Sequence, residues 1–218
     1  MKKYQTILLV VLVVAIAGVL FWLKKDRPKD DIAGPVNTNQ QIYTEQKIER
    51  NKVGPFSIRS LMPSTEVFAE YGYEVREKKG EGIVEGAEGG PRGSAFVVSR
   101  GGKELFIIYP VFGKILEGKI WEFKITSPEF KTSEGLGVGA TISDFIETYP
   151  DYSLWYTYVG DWFVLETPKY KGVQFKLDEN GFLSTQKDIT RRDQVALLLS
   201  DFNPETKITD IRIYYFPD

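Results

Sequence analysis

Seven short runs constrain this chain more than any other feature: Ala95 to Ser99, Glu104 to Tyr109, Ile120 to Thr126, Leu154 to Tyr158, Phe163 to Thr167, Val173 to Leu177 and Ile208 to Tyr215. They are rich in aromatic and β-branched residues, and most of them alternate apolar with polar side chains. Successive side chains of a strand point to opposite faces, so a period of two makes one face for a core and one for something else. With 42% hydrophobic residues in 218, there is enough apolar material for an ordinary core. The expected class is α+β: an N-terminal transmembrane helix, then a mostly antiparallel β body with a few short helices.

The transmembrane expectation rests on Ile7 to Leu23, an unbroken apolar run of 17 residues. At ~1.5 Å per residue it reaches about 25 Å, the short end of the spanning range. A backbone inside hydrocarbon must bond its own polar groups, so the run should be helical, with Trp22 suited to the interface. A cleaved signal peptide is the competing reading, with Lys2 and Lys3 as its basic end and Ala15-Ile16-Ala17 as its cleavage site. The apolar run continues past that point, which favours an uncleaved anchor. Without cysteine, no lipoprotein acylation can occur. Lys24, Lys25, Arg27 and Lys29 outnumber Lys2 and Lys3, so the charge rule favours a cytoplasmic body. A short basic leader before an apolar core behaves like an export signal, and an extracytoplasmic body is preferred here against the charge rule.

Residues 1–25 are thus expected to be the anchor. Residues 26–41, DRPKDDIAGPVNTNQQ, are polar and punctuated by two prolines and a glycine, which reads as a linker. Beyond it, features recur at a spacing of roughly 80 to 90 residues. "GKIWEFKITSP" (Gly118 to Pro128) resembles "TKITDIRIYYFP" (Thr206 to Pro217). Val53-Gly54 matches Val138-Gly139, and "STEVFAEYGY" (Ser64 to Tyr73) matches "ISDFIETYPDY" (Ile142 to Tyr152). The pattern suggests two tandem repeats, 42–130 and 131–218, each a glycine turn, a short helix and about four antiparallel strands.

Composition excludes much chemistry. The chain has neither histidine nor cysteine, which removes thiol nucleophiles, imidazole bases, disulfides and zinc sites built from those residues. Six basic and three acidic residues precede Ile32, leaving 22 basic against 27 acidic beyond it. That balance argues against a nucleic-acid partner. No metal or cofactor is expected. "LDENGF" (Leu177 to Phe182) resembles the middle of a calcium loop, but its first and twelfth ligand positions would be Lys176 and Lys187, so it reads as a hairpin turn.

"KTSEGLGVGATISDF" (Lys131 to Phe145) spaces three glycines before a helix signal. It lacks the Gly-Lys-Ser/Thr of a phosphate loop, and its loose G-x-G-x-x-A match leads into strands instead of a βαβ crossover. Thr141 and Asp144 form a capping pair, and Pro150 ends the helix. The stretch therefore reads as a structural bend feeding a helix with Ile142, Phe145, Ile146 and Tyr149 on one face. "KKGEGIVEGAEGGPRGS" (Lys78 to Ser94) reads as a long loop, and its Glu81, Glu85 and Glu88 as solvated carboxylates.

The main candidate for binding is "YSLWYTYVGDWFVLE" (Tyr152 to Glu166). Tyr152, Leu154, Tyr156 and Tyr158 fall on one face of a strand and Trp155 on the other. Either both faces are buried or one aromatic face is left for a protein or sugar. The candidate binding residues are Tyr152, Trp155, Tyr156, Tyr158 and Trp162, since Tyr and Trp combine large apolar area with a polar tip.

The recurring order glycine, Ser/Thr, acidic residue, aromatic, Tyr over Gly54 to Tyr73 and Gly139 to Tyr152, followed by antiparallel strands, resembles the fold shared by β-lactamase inhibitor proteins and the small lipoproteins of outer-membrane assembly. "SPEFKTSEGLGVGATISDFIETYP" also resembles segments of bacterial secreted proteins of undefined role. The first resemblance implies a non-catalytic protein-binding domain, although this chain lacks the acylated cysteine and the disulfides of that group. The expectation is a single-pass protein of a bacterial cytoplasmic membrane that binds another protein. The alternatives are a carboxylate-dependent hydrolase of cell-wall glycan and a structural spacer. An alkaline phosphatase fused after Asp218 should be active; an inactive fusion would place the body in the cytoplasm.

Overall fold

The computed structural model describes residues 46–84, 93–112, 118–158, 160–183 and 194–216. The apolar run 7–23 and the linker 26–41 lie outside them. Among the described residues no helix is long and apolar enough to cross a membrane. The fold is a mostly antiparallel β structure with a few short helices.

Three two-residue strands open it: β1 (Ile48–Glu49), β2 (Lys52–Val53) and β3 (Phe56–Ser57), paired in that order. Helix α1 (Thr65–Glu70) is followed by β4 (Glu74–Lys79), β5 (Ile83–Val84), β6 (Ser94–Arg100), β7 (Lys103–Phe112) and β8 (Lys119–Ile125). Helix α2 (Ile142–Thr148) is followed by β9 (Ser153–Thr157), β10 (Trp162–Glu166), β11 (Val173–Leu177), β12 (Val195–Ala196) and β13 (Ile208–Tyr214). All seven runs rich in aromatic and β-branched residues fall on strands.

Strands β4 to β13 make one sheet in the order β12-β9-β10-β11-β13-β8-β7-β6-β4, and β5 pairs in parallel with β7 off this path. Each helix is thus followed by four antiparallel strands laid side by side, β4-β6-β7-β8 and β9-β10-β11-β13. The two sets meet where β8 pairs antiparallel with β13, in the register Ile125 to Ile211 and Phe123 to Ile213. These are the strands formed by the two similar sequence runs.

The core lies on the inner side of the sheet. Phe68 of α1 packs against Phe56, with ring centroids 4.6 Å apart, and Phe145 of α2 packs edge-on against Phe175 at 4.9 Å. Phe106, Phe123, Phe130 and Phe175 are fully buried there. Both helices therefore cover the same face; among the described residues the other, outer face carries no helix. The edges of the sheet differ from its middle. At one side β4 carries the charged sequence EVREKK, and at the other β12 has two residues; charge and brevity both discourage pairing with another strand.

The glycine-rich bend before α2 has a steric reason at each position. Gly135 and Gly139 have φ of 87° and 89°, where a side chain would be strained, and a Cβ at Gly137 would fall 2.4 Å from the Phe130 carbonyl oxygen. The Thr141 hydroxyl accepts from the Asp144 amide and the Asp144 carboxylate accepts from the Thr141 amide, so both arms of the capping pair form. Two readings change. The turn after Leu177 is a short 3-10 segment, Glu179–Gly181, capped by Asp178, and not a hairpin, because β11 pairs with β13 after the intervening β12. Part of the expected loop 78–94 is regular: Lys78 and Lys79 finish β4, and Ile83–Val84 is β5, while Glu85 and Glu88 lie outside the described residues.

Glu134 locks the bend to its neighbours. Its carboxylate accepts from Tyr149 of the helix end (2.6 Å), Tyr170 (3.0 Å), Ser133 (2.6 Å) and Lys169 (2.5 Å). Burial opposes its charge, but these four donors together outweigh burial and hold its pKa well below the usual carboxylate range. The folded pKa is depressed, so the charged form stabilises the fold above the unfolded value of about 4.3 and that contribution fades as pH falls below it. The side chain is 24% exposed, so we expect Glu134→Gln to cost about 1–2 kcal/mol at pH 7. The difference from the parent in urea unfolding should shrink by pH 3; a constant difference would mean that the charge contributes nothing.

Candidate functional site

The outer face of the second strand set carries the arrangement with most capacity for recognition. Along β9, Leu154 and Tyr156 point into the core, so Ser153, Trp155 and Thr157 point outward. The same alternation turns outward Trp162, Val164 and Glu166 of β10, Gln174 and Lys176 of β11, Asp210, Arg212 and Tyr214 of β13, and Glu122 and Lys124 of β8. Val164 is 1% exposed and belongs to this outer layer. It stands in register with Trp155 on one side and Lys176 on the other.

A row of hydrogen bonds runs across five strands of this face. The Trp155 indole donates to Glu166 Oε2 (3.1 Å), whose Oε1 accepts from Gln174 Nε2 (2.9 Å). Gln174 Oε1 accepts from Arg212 (3.3 Å), and Arg212 donates through Nε and a terminal nitrogen to the two oxygens of Glu122 (2.7 and 2.5 Å). The last link is a forked ion pair with side chains 23% and 11% exposed. Burial lowers the Arg212 pKa, yet the bonds and charge of Glu122 raise it above its ordinary value. Burial and the neighbouring Glu122 also push Tyr109, farther along the same face, up to about 12. The guanidinium stands 4.3 Å from the centre of the Trp162 ring and 6.0 Å from that of Tyr214, within cation–π reach of both.

Trp162 is held from a second side. A Cβ at Gly160 would coincide with its indole nitrogen, so only glycine allows the ring to lie there. Two clefts flank the row at opposite strand ends. One, of about 280 Å³, lies beside Trp162, Lys176 and Asp210; the other, of about 310 Å³, lies beside Glu166, Pro168, Tyr214 and Phe216.

The five residues singled out in the sequence divide. Trp155 and Trp162 are half-buried on the outer face, while Tyr158 is 52% exposed in the turn after β9. Tyr156 lies in the core at 3% exposure with its hydroxyl donating to Asp161 (2.6 Å), and Tyr152 packs against the core. Burial, with Asp161, pushes the Tyr156 hydroxyl up to about 12. Glu122, Gln174, Asp210 and Arg212 were not singled out, although polar residues alternating within KIWEFKI, VQFKL and ITDIRIY carried the signal. Among the described residues no group of three or more acidic side chains is placed to hold a metal ion.

No family model matches this chain, and no curated protein matches it either. A solved structure, that of the uncharacterized protein yfeY from Escherichia coli, is similar with a TM-score of 0.46 and 12% sequence identity, over 79% of this chain and the whole of that one.

Removing one partner of a buried ion pair strands the other, whereas replacing both by apolar residues often costs little. Arg212→Leu alone and Glu122→Leu alone should each destabilise by about 3 kcal/mol, the low end for a buried pair because Arg212 retains some exposure. The double variant should recover more than half of the summed loss in denaturant unfolding; additive losses would contradict a coupled pair.

Proposed function

We propose that this protein is a membrane-anchored, extracytoplasmic binding module that holds another protein against the outer face of its sheet and performs no chemistry on it. The observation that carries this reading is the row Trp155–Glu166–Gln174–Arg212–Glu122, which fixes aromatic and guanidinium groups across five strands. Groups already immobilised lose little entropy on association, and Trp, Tyr and Arg dominate the energetics of protein interfaces. Both carboxylates of the row are taken up by donors, which suits a rigid surface better than a proton-transferring pair. Glu81, the one described member of the three glutamates in the 78–94 stretch, pairs with Lys78 at 3.3 Å.

The anchor is the run 7–23, with the body outside the cytoplasmic membrane. The acidic excess beyond residue 32 favours protein over nucleic acid as the partner. We read 42–130 and 131–218 as two copies of one unit, joined through β8 and β13, which makes the outer face continuous across both.

Photocrosslinking amino acids at positions 155 and 162, in the full chain in its native membrane, test the reading against the same probe at Val67, which is exposed on α1. A discrete protein adduct should form from 155 and 162, be absent from 67, and weaken at least fivefold with Arg212→Leu. No adduct from the outer face, or equal yield from Val67, would remove the proposal.

A further inference from the structure

We propose that the cleft of about 280 Å³ beside Trp162 receives a basic side chain, lysine or arginine, of the protein bound to this face. The proposal rests on the reading of the outer face as a protein-binding surface and gives it a chemical specificity. The cleft is lined by Asp161, Trp162, Lys176, Asp178, Glu179 and Asp210, among others, which sets four carboxylates against one ammonium.

Asp210 is the second and independent observation. It is 6% exposed, and its Oδ1 has no hydrogen-bond partner. Its Oδ2 accepts only a long bond from the Thr209 hydroxyl (3.4 Å), while the Lys124 and Lys176 ammoniums stand at 4.0 and 3.9 Å, near enough to attract and too far to donate. A buried carboxylate supplied so poorly is expensive and calls for a donor. Asp161 and Asp178 each spend one oxygen on a local bond, to the Tyr156 hydroxyl and to Asn180, so the buried acceptor of the cleft left without a donor is Asp210 Oδ1; the Trp162 indole nitrogen is a buried donor likewise without a partner.

Size and geometry narrow the donor. Small-molecule sites usually exceed about 300 Å³, so this cleft suits the end of one side chain better than a metabolite. Among the described residues the carboxylates do not converge as metal ligands do, which favours an extended organic cation. The chain shows how such a group would sit: the Lys176 ammonium lies in the cleft 5.2 Å from the centre of the Trp162 ring and 3.9 Å from Asp210. A lysine or arginine from the partner would displace it, and donation to Oδ1, which is closed to solvent while Lys176 occupies the cleft, follows that displacement. The Arg212 charge beside Trp162 opposes this entry little, because Glu122 neutralises it.

The test uses the full chain in a lipid nanodisc, with ¹⁵N-labelled indoles. There are four tryptophans, so each indole signal can be assigned by single Trp→Phe variants. Titrated n-butylammonium and ethylguanidinium should shift the Trp162 signal saturably and leave those of Trp121 and Trp155 in place, while neutral n-pentanol should not. Asp210→Asn should weaken binding at least fivefold and Glu179→Gln about twofold. Lys176→Met should do the opposite and strengthen it about threefold, since it removes the internal competitor. Shifts that do not saturate, or equal shifts with pentanol, overturn the proposal, as does unchanged binding in Asp210→Asn. Should Asp210→Asn not fold, unchanged binding in both surface variants, Glu179→Gln and Lys176→Met, overturns it instead. Cation binding with no adduct from position 155 would refute the protein partner separately. An adduct at full yield in an Asp210→Asn chain that no longer binds butylammonium would refute the assignment of the cleft to that partner.

Discussion

The pairing of β8 with β13 is the interaction on which the rest of this structure depends. It is the only seam between the two four-stranded sets within the described sheet, and it is secured differently on its two sides. Inward, Phe123, Ile125, Ile211 and Ile213 are all 0% exposed, so any slip of register would drive large apolar groups toward the other face. Outward, the forked contact of Arg212 with Glu122 spans the same seam. Hydrophobic burial supplies the affinity between the sets and the ion pair sets their alignment, a division in keeping with the small net worth of buried ion pairs.

The outer face shows what happens when both described helices lie on one side of a wide sheet. Its central strands still bury polar residues: Glu122 is 9% exposed and Gln174 8%. Buried groups of this kind must satisfy one another, and the row from Trp155 to Glu122 does so strand by strand. Rigidity of the aromatic side chains follows from that requirement. Asp210 and the indole nitrogen of Trp162 are members of this layer whose demand is not met, and both lie at the end of the face where the acidic cleft opens.

Much of the fold could be read from alternation alone, because strands such as VQFKL and ITDIRIY lie mid-sheet with one apolar face fully buried. Helix α2 was equally legible from Thr141, Asp144 and Pro150. Strand β4 was not: as an edge strand it carries charges where a central strand would carry apolar residues. The two-residue strands β1 to β3 are too short to show a period. Of the candidate site, alternation separates Trp155 from Tyr156 correctly. It cannot reveal that Arg212 meets Glu122 across 90 positions of sequence, since that depends on the register of β8 with β13. Nor can it show that Asp210 is buried, since the width of the sheet, not the character of the residue, takes it out of solvent.

The strand order carries a consequence for biosynthesis. β13 is the last strand of the sheet in chain order yet lies at its middle, between β11 and β8. Translation proceeds from the amino end, so two partly built sheets must wait, each with a greasy open flank, until the ribosome has delivered the strand that closes both. A nascent chain in that interval is the form most in need of a chaperone, and premature termination before residue 208 would yield a product with no route to the native state.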